Sequence, residues 1–427
     1  MTTDPAWIDA ALTAARPRAL GALLRHFRDL DTAEEAFQEA CLRALDHWPR
    51  HGPPRDPAAW LILVGRNAAV DQARRRSRQE ALPEDETLVS DLDDAEAALA
   101  ERLDQSHYRD DILRLLFVCC HPDLPATGQI ALALRVVCGL SVRQIARAFL
   151  VGEAAMEQRI TRAKARISAA EAQFEPAPGA PERAERLGAV MAMVYLLFNE
   201  GYSATGGAAP LRAPLCAEAI RLARLLLRLF AAEPEVMGLV ALLLLQHARA
   251  PARLDAEGEI VLLEEQDRGL WDRRMIAEGL ALVDKAMRHR RPGPYLAQAA
   301  IAALHARAAR PEDTDWAQID LLYAMLERLQ PSPVVTLNRA VAVSKTSGPA
   351  AALAMVEALE PRLSGYFYFH GVKGALLAQL GRVEAARAAY GRAIALAHTA
   401  AEAAHIRRHL DQLAQDNLPG GDARVTR

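Results

Sequence analysis

A chain of 427 residues is too long to close around one core and is expected to divide into two or three domains. Its net charge of -3 excludes a protein coated in nucleic acid over its whole surface, so any binding of that kind has to be local. Ala, Leu and Arg dominate, and few stretches are β-branched or alternate with period two, so the expected fold class is all-α.

The N-terminus, MTTDPAWIDAALTAARPR, lacks a charged leader followed by an apolar run. The longest apolar stretches, such as Val190 to Phe198, fall far short of the roughly 20 residues that span a bilayer. A soluble, cytoplasmic protein with no membrane partner is expected. Five cysteines, an odd number, fit a reducing compartment with free thiols.

Residues 5–79 read as a first helical domain. Asp31 stands where it can cap a helix running through TAEEAFQEACLRALDHW, with Ala33, Phe37, Ala40, Ala44 and Trp48 on one stripe and Glu35, Gln38, Glu39 and Arg43 on the outer face. A Pro-rich loop, Pro49 to Pro57, follows. A further helix then runs from Ala58 to about Arg78, its polar groups supplied by Arg66, Asn67, Asp71, Arg74 and Arg75. Trp48 and Trp60 are both large enough to anchor a core or to stack on a base, and the sequence leaves that choice open. The run Arg74, Arg75, Arg76, Arg78 reads equally as a DNA contact or as a solvated helix end favoured by the helix dipole.

Residues 80–107 form an acidic linker, with Glu84, Asp85, Glu86, Asp91, Asp93, Asp94 and Glu96. Residues 108–172 hold a second domain. Within it, Gly139 can end one helix, and Ser141 with Gln144 three residues on has capping-box spacing. Ile145, Ala146 and Phe149 face inward, Leu150, Val151 and Gly152 make a turn, and Met156, Ile160, Ala163 and Ile167 share a buried stripe. Glu157, Gln158, Arg159, Arg162, Lys164 and Arg166 are left on the other face. This is the pattern of a helix-turn-helix, whose second helix reads base edges while flanking cations grip phosphates. The plainer reading is a surface helix pair with a solvated cationic face.

Residues 173–182 include the Pro/Gly-rich run EPAPGAP, a hinge between domains. Residues 183–415 are again helical. Near their end, Gly374, Ala386, Tyr390 and Ala393 fall at the small and aromatic positions of a tetratricopeptide (TPR) repeat. Ala340, Ala352, Val356 and Leu359 stand at comparable places about 34 residues earlier. Such hairpins stack into a curved solenoid suited to binding peptides or proteins.

No catalytic centre is visible, since G-x-x-x-x-G-K-[ST], H-E-x-x-H and G-x-S-x-G are all missing. No cofactor or metal is expected either. Cys119, Cys120 and Cys138 lack the spaced partners zinc needs and read as small core residues. Asn199, Glu200, Tyr202, Glu264, Glu265, Asp267, Arg268, Trp271, Asp272 and Arg273 either line a ligand site or serve as caps and surface ion pairs.

DTAEEAFQEACLRALDHWP followed by DPAAWLILVGRNAAVDQARRR resembles region 2 of the extracytoplasmic-function (ECF) sigma factors of bacterial RNA polymerase, and residues 141–167 resemble their region 4. The LLFVCCHPDLP, LLFNEGYSA and EEQDRGLWDR segments extend the resemblance to the subgroup with a fused C-terminal TPR-like extension, often called ECF42. The resemblance implies a sigma factor that binds the polymerase core, through its β′ clamp helices and β flap, and directs promoter recognition, DNA melting and initiation. It implies that Glu35, Gln38 and Glu39 dock on the clamp helices, that Trp48, Arg66, Asn67, Asp71, Arg74 and Arg75 meet the −10 element, and that Glu157, Gln158, Arg159, Arg162, Lys164 and Arg166 meet the −35 element. The loop WPRHGPPRD departs from the shorter loop with which the family captures a flipped base. Regulation through the extension and a link to a small DGPF/YCII-type protein are also implied. A polymerase-independent helix-turn-helix regulator and a TPR-type scaffold are the alternatives.

Overall fold

The computed structural model describes residues 6–52, 54–77, 105–149, 151–169, 180–202, 213–255, 261–397 and 400–415. Most of the acidic linker, most of the Pro-rich hinge and the C-terminal tail lie outside these residues. The fold is all-α, as the composition implies. It divides into two compact units, Met1–Leu197 and Phe198–Arg427.

The first unit opens with α1 (Ala6–Phe27), α2 (Leu30–His51) and α3 (Pro57–Ser77), which pack on one another. Their core holds Leu20, Leu23, Leu24, Phe37 and Leu61, all 2% exposed or less. The α2 stripe Ala33, Phe37, Ala40, Ala44 and Trp48 is buried as its spacing predicts. Two expectations about α2 are corrected. Its cap is Asp29, not Asp31: Arg28 turns the chain at φ 55, and the Asp29 carboxylate accepts from the Thr32 amide at 2.7 Å. And α2 runs through Pro49 to His51 before Gly52 ends it at φ 89, so the Pro-rich loop is shorter than the sequence implies.

Helices α4 (Gln105–Cys119), α5 (Ala126–Val136), α6 (Val142–Ala148) and α7 (Glu153–Ala169) follow. Helix α4 packs against α1 at Gly21, where a Cβ would sit 2.7 Å from the Asp111 carbonyl oxygen. Asp111 is fully buried, with Arg114 at 3.0 Å and Arg25 at 3.4 Å. Helix α8 (Ala180–Tyr202) contains the division between the units.

The second unit continues with α9 (Ala213–Leu229) and α10 (Pro234–His247). From Val236 to Leu245 every α10 side chain is buried, because α9, α11 (Arg273–Met287) and α12 (Pro294–Arg307) all pack on it. Glu235 accepts from the Tyr295 and Leu296 amides, both at 3.0 Å, and so caps α12 from a neighbouring helix. Then come α13 (Trp316–Leu329), α14 (Pro333–Thr346), α15 (Pro349–Glu357), α16 (Glu360–Leu363), α17 (Phe367–Gln379), α18 (Val383–Leu396) and α19 (Ala400–Gln415). The repeat positions meet in one core: Ala340, Ala352, Val356, Leu359, Ala386, Tyr390 and Ala393 are all buried there. Gly374 faces the Tyr390 ring so closely that a Cβ would lie 2.6 Å from it.

Two predictions follow from this packing. Gly374→Ala should cost about 1–3 kcal/mol in thermal denaturation, because the Tyr390 ring is held against His409 and has nowhere to move. The second concerns pH. Burial pushes both His305 and His405 down to about 4, whereas an unfolded histidine protonates near 6.5. The unfolded chain therefore takes up protons first, and stability that is complete above pH 6.5 is lost as pH falls toward 4. Melting temperatures across that range should fall more gently in His305→Gln than in the parent chain.

Candidate nucleic-acid interface

The helix-turn-helix is built as its sequence implies. Gly139 adopts φ 77 after α5, releasing the chain into α6. Ser141 and Gln144 form a reciprocal capping box. The Ser141 amide donates to the Gln144 side-chain oxygen at 2.8 Å, and the Gln144 amide donates to the Ser141 hydroxyl at 3.2 Å. Ile145 and Ala146 are buried and Phe149 is half-buried, while Met156, Ile160, Ala163 and Ile167 seat α7 against the rest of the module.

That seating leaves Glu157, Gln158, Arg162 and Arg166 exposed and Arg159 half-buried. Gln158, Arg159, Arg162 and Arg166 line one side of a groove of about 350 Å³, and Leu124, Pro125, Thr127 and Gly128, at the start of α5, line the other. Arg166 also donates to the Asp123 carbonyl at 3.3 Å, which holds it beside the groove. Guanidinium groups opposite a helix N-terminus suit an anion, and a phosphate of a nucleic-acid backbone meets both at once.

Lys164 does not join this row. Its ammonium lies 2.6 Å from an Asp31 oxygen and 2.6 Å from a Glu34 oxygen, both on α2. Burial works against the charge, but the hydrogen bonds to Asp31 and Glu34 outweigh it and raise the pKa. Glu34 is 4% exposed and also meets Arg16 at 3.5 Å. Arg16 in turn donates to the Val136 carbonyl at 2.8 Å and the Arg135 carbonyl at 3.2 Å, the C-terminal end of α5. The Arg16 guanidinium also covers the Phe37 ring at 4.9 Å. Burial lowers the Arg16 pKa, while the Glu34 charge acts in the opposite direction. Arg16 and Glu34 were not singled out from the sequence. A signal was there in Glu34, a charged residue three before Phe37 and four after Leu30 on an otherwise apolar stripe.

On α2, Glu35, Gln38 and Glu39 are exposed, and Glu39 pairs with Arg43 at 3.1 Å. On α3, Arg66 and Asn67 are exposed; the side chains of Asp71, Arg74 and Arg75 lie outside the described residues. Trp48 is corrected. It is 1% exposed, stacked on Trp7 at 6.0 Å and edge-on to Trp60 at 5.4 Å, so in this conformation its ring is a core anchor and not a base platform. Trp60 is buried in the same cluster. The thiols of Cys119 and Cys120 are buried and their pKa values raised by burial, and among the described residues no group of three or more His, Cys, Asp or Glu is placed to hold a metal.

Residues 12–79 match sigma-70 region 2, residues 114–167 match sigma-70 region 4, and residues 186–287 match a family of unknown function (DUF6596). Over 414 residues the chain is 72% identical to an uncharacterized protein of Rhizobium meliloti (strain 1021), with 97% of each chain covered. No solved structure matches it.

The groove makes a measurable claim. Arg162→Ala should weaken duplex binding, by about 1–3 kcal/mol if Arg162 reads a base edge, or evenly across sequences with a salt slope smaller by about one if it holds a phosphate. Fluorescence anisotropy at two salt concentrations separates these outcomes, and no change in either removes the groove from the interface.

Proposed function

The chain belongs to the family of the Rhizobium meliloti protein, and we propose that it is a sigma factor of the extracytoplasmic-function type whose residues divide promoter recognition and transcription initiation as follows. Its partners are the RNA polymerase core and promoter DNA. The exposed α2 row Glu35, Gln38 and Glu39 docks on the β′ clamp helices, and region 4 reaches the β flap. Arg66 and Asn67, with Asp71, Arg74 and Arg75 further along α3, meet the −10 element. Helix α7 meets the −35 element through Glu157, Gln158, Arg159, Arg162 and Arg166. The residues after 183 are a TPR-like extension of the ECF42 kind that modulates this activity and offers a surface to a small DGPF/YCII-type protein. The observation that carries the reading is the ordered pair of region 2 and region 4 matches, each displaying exposed polar groups on one helix.

Lys164 has a different role in this proposal. The −10 and −35 elements are about 25 base pairs apart, roughly 85 Å of duplex at 3.4 Å per step. Here α7 touches α2 through Lys164, so the first unit is a closed form that must open before both elements are held. Lys164 closes it, and reaches DNA only after leaving Asp31 and Glu34.

Co-purification with polymerase core tests the docking row: Gln38→Ala with Glu39→Ala should weaken core binding at least tenfold, and unchanged binding would reject the assignment. Run-off transcription with core enzyme tests the sigma role, since a polymerase-independent regulator would act only with another sigma factor present. For the closed form, Asp31→Asn with Glu34→Gln should tighten binding of the free protein to a −35 duplex several-fold. Equal or weaker binding would mean that the α2 contact holds nothing back.

A further inference from the structure

Some arginines in the second unit are met by carboxylates. Arg221 pairs with Glu218, Arg224 with Glu278, Arg307 with Asp284, Arg310 with Asp313, and Arg339 with both Asp320 and Glu327. Three arginines on the segment after α10 donate to neutral oxygens instead. Arg249 donates to the Tyr202 hydroxyl and the Gln246 side-chain oxygen. Arg253 donates to the Tyr202 carbonyl at 3.0 Å and lies 3.6 Å over the Tyr202 ring. Arg268 donates to the His305 and Ala308 carbonyls at 2.6 Å and 2.7 Å and covers the Trp271 ring at 4.7 Å. These partners of the three are neutral.

The three charges sit together. Arg249 is near enough to Arg253 and Arg268 that its charge disfavours theirs, and Arg249 and Arg268 add to the burial that holds His305 neutral. Of the carboxylates around them, Glu312 and Asp313 favour the Arg268 charge, Asp313 also pairs with Arg310, Glu264 pairs with Lys345 at 2.9 Å, and Glu402 accepts from the Tyr368 hydroxyl at 3.4 Å. Glu257 and Glu259 lie outside the described residues.

A second observation points the same way. On this one segment the His247 Nδ1, the Gln266 side-chain oxygen, the Arg268 Nε and the Trp271 Nε1 are buried with no hydrogen-bond partner. Gln266 and Trp271 are 8% and 4% exposed. Buried polar groups are nearly always partnered, so the unspent N–H donors of Arg268 and Trp271 mark a missing acceptor. Guanidinium groups bind planar or tetrahedral oxyanions through paired N–H bonds.

We propose that Arg249, Arg253 and Arg268, with the Trp271 N–H, form a binding site for a small molecule bearing carboxylate or phosphate oxygens, which makes the C-terminal extension a ligand-sensing domain. The site does not depend on the reading of regions 2 and 4. The anion sits against Arg253 and Arg268, takes the free Arg268 Nε and Trp271 Nε1 hydrogens, and adds negative charge beside the clustered guanidinium groups.

The test uses the full chain at constant ionic strength, titrated with citrate as the carboxylate probe and pyrophosphate as the phosphate probe. Thermal melting and tryptophan fluorescence are the readouts. The melting temperature should rise with at least one probe, and the apparent Kd should weaken at least tenfold in Arg253→Gln and in Arg249→Gln, while Arg224→Gln keeps the parent response. A response to citrate alone or pyrophosphate alone assigns the oxyanion. If neither probe acts on the parent chain, or if the arginine variants respond as the parent does, the site is rejected. It is equally rejected if only the Glu257→Gln, Glu259→Gln double variant responds, since the missing acceptor is then the chain's own.

Discussion

A carboxylate taken out of water must be met by positive charge, and in the first unit that requirement joins two modules. Glu34 sits on the buried stripe of α2. Its countercharges come from different places: Arg16 on α1 and Lys164 on α7. Arg16 also closes the last carbonyls of α5. Four helices from two separately matched regions thus meet around one side chain. Ion pairs of this kind are specific in geometry but modest in net stability, because desolvation offsets much of the attraction. That balance suits a contact that can form and break.

The same balance explains why Lys164 differs from its neighbours on α7. Arg159, Arg162 and Arg166 face a groove beside a helix N-terminus, where an external phosphate is the natural partner. Lys164 already has its anions. One cationic helix therefore serves two ends, with the rotation of each residue around the axis deciding which. In the second unit the partners differ: Arg249, Arg253 and Arg268 donate to neutral oxygens, and the Arg268 Nε and Trp271 Nε1 beside them stay unpaired.

Much of this was legible in the sequence because local rules and burial agreed. The capping box at Ser141 and Gln144, the left-handed Gly139 and the α7 stripe all formed as spacing implied. So did the α2 stripe. Where reading failed, two local rules competed. Asp29 and Asp31 both had the chemistry of a cap, and the backbone turn at Arg28 chose the earlier one. Pro49 looked like a helix breaker, yet α2 runs two residues beyond it. Trp48 had the chemistry of a base platform and the position of a core anchor, and packing against Trp7 and Trp60 settled it for this conformation.

The sequence by itself determined the all-α class, the order of the modules and which helix faces carry charge, because helical periodicity and capping act over a few residues. Only the tertiary structure decided which of those charges are spent inside the molecule. Lys164 and Glu34 are 130 positions apart, as are few pairs that periodicity can relate, and Arg249 gains its cationic neighbours from a fold and not from a motif. Charge is written in the residue, but its counter-charge is a matter of distance in space, and that distance is set by packing.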